Sequence, residues 1–557
     1  MNSQEIIDKV IRAGLQEKDL TKDKFHKIKN EIYKTYKLQK PLPSTQIIDR
    51  YNELIKLEEV EDSNAFRKVI RKRGVRSLSG VTVISLLTKQ FYCPGKCVYC
   101  PTFEGLPKSY IPNEPAVQRA ELNDFDPILQ IHNRLRALEI TGHKIEKNDV
   151  RIIGGTWSVY PKTYRDEFIK GIYDAFNTYD EMKDYIEDTD LSSDKFASFK
   201  LKAGYGLKKS KTLDEAKKKN ETARCRVIGI AIETRPDWVN VKEIELLRYY
   251  GVTRVEIGYQ TTIDEINELN KRGHGNKESI EATKMLKNAG FKVVAHMMPN
   301  LLGSTPDLDR KALKEVFDNQ AFRPDELKIY PMVVTDKAEL TDIWRDGGFT
   351  PYDDETLIDL TADLEEMIPE YIRLNRTYRD IPASEILAGS HLSNLRQLVE
   401  EKLHKKGVKL IDIRHREIKD KKNDPKNAEI HTFEYDASDG KEYFLTFEDK
   451  SDRTIFSLLR LRLPGLESEN IYENMPELSG AALIREIHTF GDQLSIGEKG
   501  SIFGQHLGFG KQLIETSEKI ALENGYKKMA VIAGVGVRGY YEKRGYHLEG
   551  EYMVKSL

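Results

Sequence analysis

Cysteine is scarce, with four in 557 residues, which excludes the disulfide-stapled secreted classes. Long apolar runs are missing too. No segment approaches the roughly 18 apolar residues of a membrane span, and 32% charged residues with a mean hydropathy of −0.57 describe a chain with no membrane role. The opening MNSQEIIDKVIRAG has neither the apolar stretch nor the small-residue cleavage site of a secretory leader, so a cytoplasmic location is expected. Internal repeats and low-complexity tracts are also lacking. What the chain has is length. Single cores stop growing near roughly 250–300 residues, so two or three domains are expected.

Charge is nearly balanced at −2, yet unevenly spread: residues 1–90 hold 19 Lys/Arg against 12 Asp/Glu, leaving −9 on the remainder. Arg67, Lys68, Arg71, Lys72, Arg73 and Arg76 fall within ten positions. Such clustering is how a phosphate-binding surface looks in a sequence, and also how a solvated helix face looks.

From position 81, β-rich runs alternate with amphipathic helical stretches: VTVISLL, VRIIGG, VIGIAIET, RVEIGYQ, KVVAHMMP and ELKIYPMVV. Six strands in alternation with helices predict a parallel sheet, as a partial (β/α) barrel or an open doubly wound sheet. Residues 180–222, with KKSKTLDEAKKKN, read as a charged surface excursion. After about 390 the texture turns to YFLTFED, TIFSLLRLRL and ALIREIHTF, which predicts antiparallel strands. The expected organisation is a basic helical region over 1–75, an α/β domain over 76–395, and a linker with an α+β domain over 396–557.

The first strand leads into FYCPGKCVYCP, a C-x3-C-x2-C run of Cys93, Cys97 and Cys100. Three thiolates would hold a four-iron cluster with one iron left open to a small ligand, whereas zinc would recruit a fourth ligand such as Cys225 or a distant His. The run resembles the radical S-adenosylmethionine (SAM) superfamily. That resemblance implies a 4Fe-4S cluster, SAM and an external electron donor, with Tyr99 against the adenine. It puts Gly154, Gly155 and Thr156 at the amino-group element, Thr156 replacing the usual Glu. Glu233, Arg235, Gln260, His296 and Lys328 stand at later strand ends, where ligands of parallel β/α domains lie. Each is equally readable as a buried ion pair or helix cap.

Near the C-terminus QHLGFGK opens an amphipathic helix. Glycines there let backbone N–H groups approach a pyrophosphate at a helix N-terminus. With a strand on either side and GYYEKRGYHLEG following, the last 120 or so residues resemble the GNAT acetyltransferases. This implies acetyl-CoA on Gln505, Gly508, Phe509, Gly510 and Lys511, Tyr541 or its neighbour Tyr540 as the acid for the leaving thiolate, and Glu486 as a base.

Both halves together, through blocks such as SYIPNEPAVQRA, IETRPDW, NKRGHG, AFRPDELKIYP, RDIPA and GVGVRGYYEKRGY, resemble the catalytic third subunit of Elongator and its archaeal and bacterial stand-alone relatives, from about residue 75 onward. The resemblance implies synthesis of 5-carboxymethyluridine at the wobble position of tRNA from acetyl-CoA. It extends the acetyl-CoA contacts to Lys147, Glu486, Ile487, His488 and Thr489, and assigns tRNA loosely to the basic N-terminal region. It leaves a homo-oligomer or other Elongator subunits open as partners. The gap between the first two cysteines is shorter than in many relatives, and no cysteine follows Cys225; a zinc site would need His391, His415 or His431, and none is expected. The rival reading is a protein lysine acetyltransferase whose iron–sulfur cluster is structural; a non-catalytic tRNA-binding scaffold is a second.

If the basic cluster grips phosphates, neutralising Arg71, Lys72 and Arg73 together should weaken tRNA binding and flatten its salt dependence by up to about 3 log units per decade of salt. A filter-binding salt titration checks this; an unchanged slope identifies a solvated face.

Overall fold

The computed structural model describes residues 3–38, 42, 44–70, 80–182, 186–188, 199–201, 206, 208–419, 423–465, 469–491 and 508–557. Helices Ser3–Gln16, Lys22–Thr35, Ser44–Lys56 and Asn64–Ile70 close on an apolar core of their own, with Ile11, Ile48, Tyr51 and Phe66 buried. Gly14 lets Phe66 in, since a Cβ there would lie 2.5 Å from the ring. The basic cluster is partly accounted for here. Arg67 ion-pairs with Asp62 and donates to Asn52 Oδ1 at 3.0 Å, so it serves this fold instead of standing ready for a phosphate. The side chain of Lys68, and Arg71, Lys72, Arg73 and Arg76 entirely, lie outside the described residues.

Among the described residues seven strands form the central sheet: β1 (Thr82–Leu87), β2 (Lys147–Ile153), β3 (Arg226–Thr234), β4 (Val252–Gln260), β5 (Lys292–Met297), β6 (Glu326–Ile329) and β7 (Arg373–Arg376). They pair in chain order and all in parallel. An order that never reverses, joined by right-handed crossovers, stacks every helix on one face and curls the other inward. The result is a half barrel, and the doubly wound alternative is excluded because it needs a reversal. Sequence reading missed β7: RLNR is short and polar, with no apolar run to betray it.

The charged excursion is only partly an excursion. Thr212 caps helix Leu213–Asn220, its Oγ1 accepting from Glu215 N at 3.1 Å. Lys217 from that helix is buried, donating to Tyr249 O at 2.8 Å and pairing with Glu551 at 2.5 Å. The lysine run thus includes an interdomain contact.

The second sheet comprises β8 (Ala428–Ala437), β9 (Gly440–Asp449), β10 (Ile455–Leu463), β11 (Ala481–Thr489), β12 (Lys528–Val531), β13 (His547–Glu549) and β14 (Tyr552–Ser556), ordered β8-β9-β10-β11-β12-β14-β13. Only β11 and β12 run parallel, and only over Ala481–Ile484 against Lys528–Val531. Among the described residues, the far half of β11, Arg485–Thr489, therefore faces a gap where β12 has ended. Preceding residues 395–416 pack back on the half barrel, with Ile413 N donating to Ile372 O at 3.0 Å.

One apolar core runs through both sheets, and a buried ionic seam crosses it. Asp325, just before β6, takes both arms of Arg485 from β11, at 2.5 and 2.8 Å. Arg485 also reaches Glu442 at 2.8 Å, and Glu442 takes Arg462 at 2.9 Å. Beside them Glu486 pairs with Lys292 at 2.6 Å and Arg460 at 2.9 Å. Burial alone would raise these carboxyls. The facing cations outweigh it, holding Asp325 far below the usual range and Glu486 near about 2.

Arg485→Met should strand Asp325 and Glu442 and cost about 3–5 kcal/mol in equilibrium denaturation, whereas Lys519→Ala on the exposed Lys519–Glu523 pair should change little. Because the Asp325 and Glu486 carboxyls titrate lower when folded than unfolded, the stability they contribute is complete above the ordinary carboxylate range. It is lost as pH falls toward about 2. An acid titration followed by circular dichroism checks this; a loss already complete at pH 4 would contradict it.

Candidate active site

The half barrel curls around a cavity of about 1520 Å³, lined from Thr82 and Val83 at the start of β1 to Met332 beyond the end of β6. Cys93, Cys97 and Cys100 all line it. Their loop leaves β1 with Thr88 N still bonded to Ile153 O at 3.1 Å. Gly154 follows β2 at φ +150, and a Cβ there would lie 1.9 Å from Thr88 Oγ1. Gly155, at φ +90, has Lys108 O 3.2 Å from where its Cβ would be. The two glycines are what let this turn nest against the cysteine loop. Thr156 Oγ1 consequently comes 3.7 Å from Cys93 Sγ.

Two arginines brace the loop from the barrel side. Arg272 donates to Gly258 O at 3.0 Å and to Cys97 Sγ at 3.6 Å. Gly258 makes the room, since a Cβ there would meet Arg272 Nη2 at 2.8 Å. Arg235 holds Asp237 at 2.9 Å and donates to Arg272 O at 3.0 Å. Cys100 hydrogen-bonds Cys97, and with Arg272 this draws the Cys97 thiol down to about 4 while Cys100 moves up. A lowered thiol favours the thiolate, the form that ligates metal.

Around the cysteines the cavity presents buried polar atoms that no described residue satisfies: Arg235 Nη1, Gln260 Oε1 and Arg272 Nε. Gln260 adopts φ +69, uncommon for a residue other than glycine. Orphaned polar atoms in a native site call for a partner from outside the chain. Three thiols with such a ring fit an iron–sulfur cluster and a charged, polar ligand.

Below lies a second polar layer. Glu256 on β4 accepts from His296 on β5 at 3.1 Å and ion-pairs with Lys328 on β6. Glu233, at the end of β3, accepts from Tyr110 OH at 2.9 Å and lies 3.9 Å from Lys328. Burial would raise Glu256, but Lys328 and His296 hold it well below the carboxylate range. Glu256, Arg272, Lys108 and Arg379 escaped sequence reading. Glu256, Arg272 and Arg379 stood inside quoted blocks, but a charged residue in a sequence signals solvent more often than a buried brace.

The residues read as acetyl-CoA contacts assemble elsewhere. Ile487, His488 and Thr489 lie on the half of β11 that pairs with β10 beyond the end of β12, and Gly508, at φ +84, caps helix Phe509–Glu523. Phe509 stacks on Phe447 at 4.4 Å. A Cβ on Gly510 would lie 2.8 Å from Tyr540 OH, 3.5 Å from Ile487 Cδ1 and 3.8 Å from Thr489 Oγ1, so Tyr540 faces the gap. Tyr541 instead is buried, edge-on to Tyr546 at 5.9 Å. Lys511 is exposed, and Gln505 lies outside the described residues. Glu486 needs correction: a carboxylate ion-paired with Lys292 and Arg460 has too little proton affinity for a base. Lys147 and Lys292 open β2 and β5, whereas the cysteines follow the far end of β1. The two groups of residues therefore stand at opposite ends of the parallel strands, on the order of 20 Å apart at about 3.3 Å per residue.

None of Cys225, His391, His415 and His431 lines the cysteine cavity. Cys225 is buried away from the cavity, its thiol pushed up to about 12 by burial. His431 adjoins Glu370 and Glu448, but Arg416 and Arg453 already pair with both carboxylates.

The chain matches the Radical SAM superfamily over residues 87–315 and the Radical_SAM C-terminal domain over 324–405. It is 36% identical to a tRNA uridine(34) acetyltransferase of Methanocaldococcus infernus, covering 99% of this chain and 98% of that protein. A tRNA uridine(34) acetyltransferase of Dehalococcoides mccartyi is 38% identical over 87% of this chain and 100% of its own length. The Elongator complex protein 3 of Homo sapiens is 34% identical over 88% of each chain. Among solved structures, archaeal Methanocaldococcus infernus Elp3 with an N-terminal deletion superposes at TM-score 0.70 and 34% identity, covering 86% of this chain and 100% of that one.

Replacing Cys93, Cys97 or Cys100 by Ala should abolish bound iron in protein reconstituted without oxygen, with stability nearly unchanged for the partly exposed Cys93 and Cys100. Iron retained by all three variants, or zinc in its place, would overturn the ligand assignment.

Proposed function

Because the chain belongs to the tRNA uridine(34) acetyltransferase family that includes Elongator complex protein 3, we propose that it converts the wobble uridine of tRNA to 5-carboxymethyluridine with acetyl-CoA as carbon donor. The observation that carries this reading is the ring of unsatisfied buried polar atoms around three cysteines in one half-barrel cavity. Cys93, Cys97 and Cys100 would hold the 4Fe-4S cluster. Tyr99, Gly154, Gly155, Thr156, Glu233, Arg235 and Gln260 would surround SAM. When bound, cluster and SAM supply a 5′-deoxyadenosyl radical, and an external donor supplies the electron.

The chain's own part is to orient and to exclude water. Gly154 and Gly155 give backbone access, Arg235 offers an uncommitted N–H, and Gln260 offers an uncommitted carbonyl oxygen. Arg379 ties the loop beyond the cysteines to the far edge of the barrel, donating to Ser109 O at 2.7 Å and Glu114 at 2.7 Å. A polar wall of this kind limits the access of solvent to a reactive species.

At the other end, the gap beside β11 and the glycine turn at Gly508 support an acetyl-CoA site of GNAT type, the pyrophosphate taken by backbone N–H groups of Phe509, Gly510 and Lys511. Tyr540, facing Gly510, is the better candidate to protonate the leaving thiolate, and Tyr541 the better candidate for packing. Phosphate contacts to tRNA fall to Lys68, Arg71, Lys72, Arg73 and Arg76. An amine acetyltransferase is less favoured, because it needs a base at the gap and Glu486 is committed to Lys292 and Arg460.

Anaerobic incubation with SAM, reductant, tRNA and acetyl-CoA deuterated on the methyl group should yield labelled 5′-deoxyadenosine and 5-carboxymethyluridine, both read by mass spectrometry. Acetyl-lysine on a protein as the sole product would overturn the reading. Tyr540→Phe should cut thioester turnover by roughly 10²-fold or more while sparing acetyl-CoA affinity; Tyr541→Phe should lower stability and leave turnover closer to wild type.

A further inference from the structure

Among the described residues, Phe91 and Tyr92 are the only Phe, Tyr or Trp side chains left exposed, at 37% and 71%. Both directly precede Cys93, the first cysteine of the cavity. In a chain with 50 such aromatics, two consecutive exposed rings at that single place are not scattered surface chemistry.

One of the two exposed rings rests on a built support. Phe91 stacks on Tyr160 with centroids 5.0 Å apart and planes at 29°, and Tyr160 stacks on Tyr164 at 5.1 Å and 25°. Tyr160 OH is fixed by Thr88 Oγ1 at 2.8 Å and donates to Lys89 O at 2.7 Å, so the stack and the loop move as one. The Lys89 ammonium lies 4.8 Å from the Tyr164 centroid, and Lys96, on the other side of Cys93, is exposed. Three stacked rings, each tilted 25–29° from the next and with the outermost partly open, lie near cations and present a face for one more flat ring attached to a phosphate. That is the surface single-stranded nucleic acid takes.

We propose that Phe91, backed by Tyr160 and Tyr164, and its exposed neighbour Tyr92, with Lys89 and Lys96 nearby in the chain, stack a nucleobase adjoining the target uridine in a single-stranded RNA loop. The occupant rests on the tRNA reading above. Anchoring a neighbouring base beside Cys93 splays the loop and turns the target base toward the cavity. The platform reads no hydrogen-bonding edge, so it tolerates any base and prefers those that stack well.

The test uses the full chain and an anticodon stem-loop carrying 2-aminopurine next to the target uridine. Binding is followed by fluorescence anisotropy and by quenching of the analogue, neither of which requires the cluster. Phe91→Ala with Tyr92→Ala should weaken binding by roughly 5- to 150-fold and abolish quenching. Tyr92→Trp with Phe91→Tyr should restore both. Unchanged affinity and quenching in the double Ala variant would overturn the platform, as would a weakening that the aromatic replacements fail to rescue. A changed oligomeric state with unchanged RNA binding would identify a contact between copies instead, which also overturns it. If wild type binds and quenches yet makes no 5-carboxymethyluridine, the functional reading fails while the platform stands.

Discussion

Asp325 and Arg485 are the contact on which the architecture turns. Each is fully buried, Arg485 on β11 of one sheet and Asp325 immediately before β6 of the other. In a medium of low dielectric an unmatched charge costs far more than a matched pair gains. The two sheets therefore have one relative position in which Asp325, Glu442, Arg462 and Arg485 are all answered, and displaced packings leave at least one stranded. A core of apolar residues alone would tolerate sliding. The ionic seam does not.

That rigidity bears on the cavity. Arg254, within β4, donates to Asp149 at 2.7 Å and lies 3.7 Å from Glu326. Glu326 in turn lies 3.2 Å from Lys292, which holds Glu486. The polar interior of the half barrel is thus continuous with the seam through successive paired side chains. Above it the character changes: near the cysteines polar atoms are left without partners. Ion-paired carboxylates make the foundation, and the ring of polar atoms around the cysteines makes the binding surface.

Much of this was legible in sequence because it depends on pattern. Strand and helix alternation yields the parallel sheet, and the cysteine spacing marks the loop after β1. The glycine run marks a helix N-terminus. What escaped depends on pairing across distance. Glu486 looked like a base because nothing local reveals Lys292 and Arg460. Arg67 looked like a phosphate ligand because Asp62 and Asn52 meet it only after folding. Tyr540 and Tyr541 are adjacent and chemically alike, and only the turn of helix Arg538–Glu542 sends one to the gap and the other to the core. Lys217 shows the converse: a lysine run reads as solvated, yet one member lies under Tyr249 and against Glu551.

The gap beside β11 lies at the strand end opposite the cysteines, and the seam denies the two sheets a hinge. On the proposed reading, the distance is spanned by the carrier, not closed by the protein. The frame then acts as a gauge: it admits to the chemistry only an acyl group borne on an arm long enough to traverse it. Selection among thioesters is set by reach before any side chain inspects the acyl group.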